Sequence, residues 1–181
     1  MEKFSGHWYA IKTTLPYTRC VGYDFYTQKL ENVQDYKAKS KYECIMGELE
    51  ANPRLPSQMT YTDLNIDYSK VDAMKPAFVV FATDYDSYAG VYFCSKEPRG
   101  FRHYVSILSR SEDIDEEILN ELMVSIVEGH SLPDDLKLKP VDHKDCVYEN
   151  IEVNSNDQNA INDDGKTFLI IKFLVDDEPT P

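Results

Sequence analysis

The chain has 181 residues, of which 42% are apolar and 12% aromatic, which is enough for one domain with a single sizeable core. Its 32 Asp and Glu residues outnumber 19 Lys and Arg residues and give a formal net charge of −13, which repels nucleic-acid phosphates and anionic lipid, so we expect neither as a partner. The longest apolar runs fall far short of the roughly 20 residues of a membrane helix, so membrane insertion is not expected.

Residues 7–110 contain seven short stretches rich in β-branched and aromatic residues, separated by turn-like breaks. They read "HWYAIKTTL", "RCVGYDFYT", "YECIMGELE", "QMTYTDLNIDY", "AFVVFATDY", "YAGVYFCS" and "FRHYVSILS". Short strands with few long connections indicate an antiparallel sandwich or barrel rather than an alternating β/α fold.

One amphipathic helix is predicted after these strands, within "SEDIDEEILNELMVSIVEGHSL". Its apolar residues recur at helical spacing and form one stripe, made of Ile114, Ile118, Leu119, Leu122, Met123, Ile126 and Val127. Ser111 or Asp113 can cap its start, and Gly129 stands where the chain leaves it. We expect this helix to pack against the outside of the sheet and to contact no ligand.

The end of the chain is an acidic extension, which we divide from the main unit at residue 150. "NSNDQNAINDDG" is typical of a loop or a disordered linker. "KTFLIIKFLV", at residues 166–175, is a compact apolar run that can add one last strand and must be buried. The predicted organisation is therefore one unit over residues 1–150 and a C-terminal extension over residues 151–181.

The sequence holds no catalytic constellation that we can identify. It lacks a Gly-rich phosphate loop, a GxSxG elbow, an HExxH pair and a calcium loop, and its four histidines are scattered without metal-ligand spacing. The carboxylates of "DIDEE" and "DDGK" are typical of a helix start and solvated loops. We therefore predict a protein that is not an enzyme and needs neither a metal nor a cofactor.

Four widely spaced cysteines bear on the cellular setting. Cys20, Cys44, Cys94 and Cys146 form no CxxC pair, and this pattern favours disulfides over buried thiols and, further behind, over zinc. Four cysteines allow three pairings. A secreted, extracellular protein is expected. Because the sequence does not open with a secretory leader, we interpret it as a mature form from which the leader has been removed.

Three short motifs, taken together, resemble the signature regions of the lipocalins. They are Gly6, His7 and Trp8 before the first strand, Thr83, Asp84 and Tyr85 between two strands, and Arg110 in "ILSRS" just before the helix. The resemblance covers roughly residues 4 to 150 and implies an all-β, eight-stranded, up-and-down antiparallel barrel with one helix packed outside. In such a barrel Trp8 plugs the closed end, Arg110 lies over its indole, and the motif residues are scaffold that touches no ligand.

The surroundings of the cysteines resemble those of secreted arthropod lipocalins, among them crustacyanins, insecticyanin-type proteins and salivary proteins of blood-feeding bugs. That likeness implies a bond between Cys20 and Cys146. In these relatives the counterpart of Cys94 pairs with a cysteine before the first strand, which this chain lacks. Cys44 is then the remaining candidate, and Cys44–Cys94 is the expected second bridge.

The resemblance also implies which side chains face the interior of the barrel. They are Phe78 and Val80 on the sixth strand, Ala89, Val91 and Phe93 on the seventh, and Tyr104 and Ser106 on the eighth. These seven are the expected ligand-binding residues, although each can equally be inert core. Thirteen tyrosines and eight phenylalanines suit a flat, amphipathic ligand such as a bilin, a lipid mediator or an aromatic amine, whereas histidine-bound haem is disfavoured.

Two functions follow as expectations. The first is a secreted protein that carries or sequesters a small hydrophobic or amphipathic molecule. The alternative is a salivary-type inhibitor whose acidic outer face binds a host haemostasis or defence protein. A net charge of −13 is compatible with both.

Overall fold

The computed structural model describes residues 2–27, 41–70, 74–97, 99–129, 137–148 and 166–175. A 3-10 turn, Glu2–Phe4, comes first. The strands and the helix, in chain order, are β1 (Gly6–Thr13), β2 (Gly22–Tyr26), β3 (Glu43–Asn52), β4 (Leu55–Asp63), β5 (Ala77–Thr83), β6 (Tyr88–Glu97), β7 (Gly100–Ser109), α1 (Glu116–Gly129), β8 (Lys139–Pro140) and β9 (Thr167–Phe173).

Eight of these strands close into a barrel. Their order around the ring is β1, β2, β9, β3, β4, β5, β6, β7 and back to β1, and all neighbouring pairs are antiparallel. The two-residue β8 pairs with β1 at Lys12 and Thr13, beside the ring. The predicted all-β barrel with eight antiparallel strands is confirmed.

One strand departs from chain order. β9, from the end of the chain, lies between β2 and β3, so that Ile170 is the register partner of both Asp24 and Met46. As a result, the strands expected to be sixth, seventh and eighth are β5, β6 and β7. Along the chain, these strands therefore come one place earlier than the resemblance implied, because the eighth strand of the barrel comes from the C-terminal segment.

All seven residues of β9 are buried, since each face of the strand packs against apolar neighbours. Leu169, Ile171 and Phe173 join the core inside the barrel. Phe168 and Ile170 belong to a cluster on the outer side of the barrel. This cluster also contains Tyr42 and three cysteines, Cys20, Cys44 and Cys146. A strand buried on both faces reads as a continuous apolar run, which is the pattern of "FLII".

A buried ionic network joins β9 to β2 and β1. The ammonium of Lys172, fully buried, lies 2.6 Å from Asp24 Oδ2. The other oxygen of Asp24 lies 2.7 Å from Nδ1 of His7, and Asp24 itself is 1% exposed. One carboxylate therefore contacts side chains from two other strands, His7 on β1 and Lys172 on β9.

The helix α1 lies outside the barrel, as predicted. Leu122 and Ile118 pack on Val105 and Ile107, which face outward from β7. The cap is Asp115, whose Oδ1 accepts hydrogen bonds from the backbone of Glu117 and Ile118, so the expected caps were wrong. No helix among the described residues has the length and apolarity to cross a membrane.

The two expected caps lie before the helix, and two residues of the apolar stripe cannot be compared with the prediction. Ser111 donates its hydroxyl hydrogen to the carbonyl of Asp113 at 2.7 Å, so both lie in the bend before the helix. The side chains of Ile126 and Val127 lie outside the part of the chain that the structure describes.

One of the two expected disulfides is present. Cys20 and Cys146 are bonded across 126 residues, with their Cα atoms 5.6 Å apart. In the chain-entropy model a loop of this size stabilises the fold by up to about 4–5 kcal/mol. The bond ties the segment that follows α1 to the start of β2.

The second expected bridge, Cys44–Cys94, is not formed, and neither cysteine takes part in a disulfide. They lie on β3 and β6, which β4 and β5 separate. Neighbouring strands are about 4.8 Å apart, so three steps exceed the roughly 4.4–6.8 Å that a disulfide allows between Cα atoms. The expectation was wrong because it assigned the two remaining cysteines to each other without knowledge of their strands.

Candidate functional site

Trp8 lies at one end of the barrel and is completely buried. Its indole N–H donates to the carbonyl oxygen of Phe4 at 2.9 Å, and the Phe4 ring stacks on it with 4.9 Å between centroids. The 3-10 turn thus folds back over the first strand. Together these aromatic rings fill the end of the barrel that β1 enters.

Arg110 covers the indole from the outside. Its guanidinium carbon lies 3.7 Å from the centroid of the Trp8 ring. Nη1 donates to the carbonyl of His7 at 2.9 Å, and Nη2 donates to the carbonyls of Lys3 and Tyr85 at 3.3 and 3.5 Å. Burial lowers the pKa of this guanidinium, against the opposing effect of Asp86 and Asp84, yet arginine remains charged.

Gly6 allows this close approach. Its φ of +97° lies in the left-handed region that side chains disfavour, and a Cβ at this position would stand 3.3 Å from Arg110 Nη1. The glycine of the first motif is therefore explained by backbone conformation and by the position of the arginine.

The turn at Thr83–Tyr85 closes the same end. The Asp84 carboxylate accepts backbone N–H bonds from Asp86, Ser87 and Tyr88 at 2.8 to 3.1 Å, and the hydroxyl of Ser87 also donates to it. Desolvation raises the pKa of Asp84, but these hydrogen bonds outweigh it and hold the pKa at about 2. The carboxylate is therefore ionised throughout the neutral range and fixes the turn.

Replacing Arg110 by Met should destabilise the barrel by about 1–2 kcal/mol, because a shielded cation over an indole contributes about that much. The loss should appear in urea unfolding followed by the emission of Trp8, the only tryptophan of the chain. Arg99→Met, at an exposed position in the turn between β6 and β7, is the matched control and should unfold as the parent does. Equal midpoints for the two variants would contradict a stabilising role for the Trp8–Arg110 pair.

A cavity of about 180 Å³ lies inside the barrel, toward the end opposite Trp8. Thirteen side chains of the described residues line it. Six are aromatic, namely Tyr17, Tyr23, Tyr61, Phe78, Phe93 and Tyr104. Five are aliphatic, namely Leu15, Pro16, Ile45, Val91 and Ile171, and the last two are Arg102 and Ser106.

A chain of hydroxyls runs along one wall of this cavity. Ser106 Oγ lies 2.9 Å from the hydroxyl of Tyr23 and 2.7 Å from Oγ1 of Thr13. Burial raises the pKa of Tyr23 to about 12, although the hydrogen bond with Ser106 opposes the shift. The phenol therefore stays protonated at neutral pH.

The hydroxyl of Tyr61 is buried and has no hydrogen-bond partner among the described residues. Its ring packs directly on β3, where a Cβ at Gly47 would lie only 2.1 Å from it, so the glycine makes room for the tyrosine. Burial, followed by the charge of Asp63 and by Tyr68, raises the pKa of this phenol. An unsatisfied buried hydroxyl costs about 1–3 kcal/mol, which a bound molecule with a polar group can recover.

Five of the seven residues expected to bind a ligand line this cavity, namely Phe78, Val91, Phe93, Tyr104 and Ser106. Val80 lies nearer the closed end, beside Phe4 and Met59, where it borders a second hollow of about 390 Å³. Ala89 is buried in the core and is not among the side chains that line either space. That the seven contact a ligand stays a prediction.

Sequence reasoning missed several side chains of this wall. Arg102 lies on the same face of its strand as Tyr104 and Ser106, and Tyr61 lies on the same face as Met59. The period-2 pattern of the strands therefore contained a signal for both residues. Tyr17 comes from the connection between β1 and β2, and Ile171 from β9, for which the pattern gave no position. Within the described residues there is no group of three or more His, Cys, Asp or Glu side chains that could hold a metal ion.

Two solved structures with this architecture come from a lobster and from an insect. The chain superposes on lobster apocrustacyanin A1 with a TM-score of 0.51 at 17% identity, over 78% of each chain. Insecticyanin from the tobacco hornworm Manduca sexta gives a TM-score of 0.51 at 19% identity, over 80% of each chain. Neither a family model nor a curated protein matches the sequence. At these identities the likeness shows the lipocalin fold, which the motifs predicted.

Proposed function

We propose that the protein carries or sequesters a small molecule with an aromatic body and one polar group, held in the 180 Å³ cavity. The observation that carries the proposal is the Tyr61 hydroxyl, which is buried in an aromatic cavity without a partner among the described residues. Small-molecule sites are concave and mostly apolar, with a few polar groups that orient the ligand. The wall of Phe78, Phe93 and Tyr104, with the hydroxyl chain at Ser106, has this composition.

The size of the cavity narrows the choice among the ligands considered from the sequence. A cavity of about 150 Å³ holds benzene, and drug-sized ligands occupy roughly 300–1,000 Å³. At about 180 Å³, the space favours a single-ring compound with a short side chain. A bilin or a long-chain lipid mediator needs the barrel to open further.

An extracellular setting belongs to the same proposal. The Cys20–Cys146 disulfide supports an oxidising compartment. The aromatic cavity supports binding without catalysis. Inhibition of another protein, the alternative considered from the sequence, is supported by the net charge of −13 alone.

Filling the cavity tests the proposal. Val91 is 2% exposed and lines the space, so Val91→Phe should occupy it without the strain that overpacking causes in a dense core. We expect binding of hydrocinnamyl alcohol, a neutral single-ring probe, to weaken at least tenfold in isothermal titration calorimetry, with no fall in melting temperature.

The matched control is Val79→Phe, which makes the same change on the neighbouring strand at a position absent from the lining. It should bind the alcohol as the parent protein does. The proposed function would be contradicted if the Val91→Phe variant bound the alcohol as tightly as the parent protein does, or if the parent protein did not bind it.

A further inference from the structure

The phenol ring of Tyr61 is confined by two other strands of the barrel. Tyr61 is 2% exposed. A Cβ at Gly47, on β3, would stand 2.1 Å from its Cε2 atom, and the ring of Phe93, on β6, meets it edge-on with 5.2 Å between centroids. A ring packed this closely cannot turn its hydroxyl to solvent unless its neighbours move. The position of the Tyr61 hydroxyl is therefore fixed by the fold.

The hydroxyl chain at Ser106, in contrast, is complete without a ligand. Ser106 Oγ lies 2.9 Å from the hydroxyl of Tyr23 and 2.7 Å from Thr13 Oγ1, and Thr13 Oγ1 lies 3.4 Å from the carbonyl oxygen of Val105. Tyr23 can donate to Ser106 and Ser106 to Thr13, so that each of the three hydrogens has an acceptor. The Tyr61 hydroxyl has none among the described residues. Of these groups, only Tyr61 needs an acceptor from outside the protein.

We propose that Tyr61 orients the ligand by donating its hydroxyl hydrogen to it, so that the cavity selects single-ring compounds with a carbonyl group over hydrocarbons of the same shape. The inference rests on the proposed function and adds the chemistry of the ligand's polar group. A carbonyl oxygen has two lone pairs and brings no hydrogen that needs an acceptor of its own. Burial, followed by the charge of Asp63 and by Tyr68, raises the pKa of Tyr61, so the phenol keeps the proton that it donates.

The same hydroxyl should make the ligand-free protein less stable. A buried donor without an acceptor costs free energy, and a phenylalanine ring fills the same space without that donor. Tyr61→Phe should therefore raise the midpoint of urea unfolding in the absence of ligand. Tyr23→Phe, which removes a hydroxyl bonded to Ser106, is the control and should lower the midpoint. A midpoint of the Tyr61 variant below that of the parent would show that the hydroxyl has a partner within the protein, and would overturn the inference.

Binding is tested with two probes of one skeleton, benzylacetone and isopentylbenzene, in which a methyl group takes the place of the carbonyl oxygen. With the full oxidised chain at neutral pH, headspace partitioning should show that Tyr61→Phe weakens the binding of benzylacetone by about fivefold or more. Isopentylbenzene should bind this variant at least as tightly as the parent. Tyr92→Phe, which removes a phenol hydroxyl from the outer side of β6, should bind both probes as the parent does.

The outcomes separate this inference from the function on which it rests. If benzylacetone binds Tyr61→Phe as tightly as the parent, the role of Tyr61 is overturned, while binding of the probe still reports a working cavity. An equal loss for both probes also overturns it, because the substitution then acts on the fit of the ring and not on a hydrogen bond. Failure of the parent protein to bind either probe overturns the proposed function and the selection together.

Discussion

A chain that ends at residue 165 should fail to form the barrel, because it lacks β9. That strand hydrogen-bonds to β2 on one side and to β3 on the other, so its loss opens the ring and leaves two unpaired edges. It also removes five large buried apolar side chains, each contributing about 1.5–3 kcal/mol. The sum is comparable to the roughly 5–15 kcal/mol that stabilises a whole domain.

Circular dichroism and urea unfolding of the chain 1–165 should show no cooperative transition. The control is a chain that ends at residue 175, which keeps β9 whole and should unfold at the parent's midpoint. Adding a peptide of residues 166–175 to the shorter chain should restore the transition, whereas a peptide of the same composition in scrambled order should not. A cooperative transition of the 1–165 chain at the parent's midpoint would show that the barrel closes without β9; this comparison also tests the division of the sequence at residue 150.

Most strands of the front part could be predicted because one face of each is more buried than the other, although β2 is buried on both faces. Alternation in "HWYAIKT" places Trp8 and Ala10 inside, and the same rule works for Val91 and Phe93 on β6. Such a pattern fixes which residues share a face, and the three motifs fixed the closed end. The contact of Trp8 with Arg110 followed from the resemblance rather than from local pattern.

The position of β9 could not be predicted for the opposite reason. Its residues are buried on both faces, so the run from Phe168 to Ile171 carries no alternation that points to a partner. Its pairing with β2 and β3 is non-local, and the sequence gives only the need for burial. The cavity residue Ile171 was missed for the same reason.

The ionic network around Asp24 could not be predicted either, because the strand pattern does not show that this position is buried. Asp24 alternates with Tyr23 and Phe25, which face the core, so in a barrel its own position faces outward and is normally exposed to solvent. It is buried because Tyr148 and neighbouring residues after the helix pack over this side of the barrel, where the Tyr148 ring lies 4.8 Å from that of His7. Local pattern cannot show which segment covers an outer face.

Replacing Asp24 by Ala should lower the free energy of unfolding by about 3–5 kcal/mol, the usual loss when one partner of a buried ion pair is removed. The variant takes away the carboxylate that lies 2.6 Å from the ammonium of Lys172, a side chain with no exposed surface. It also takes away the partner of His7 Nδ1. Loss of the opposite charge makes the burial of the Lys172 ammonium more costly, and this weakens the packing of β9 in the barrel.

The comparison that identifies the cause is the double variant Asp24→Leu with Lys172→Met. Apolar pairs of similar volume often replace buried ion pairs without loss, so this variant should recover most of the stability in urea unfolding. Asp67→Ala, which breaks an exposed pair with Lys70, should unfold as the parent does, since solvent screens that pair. If the double variant is as unstable as Asp24→Ala, the loss comes from His7 and local packing rather than from the broken ion pair between Asp24 and Lys172. If Asp24→Ala itself unfolds like the Asp67 variant, the network does not hold β9 in the barrel.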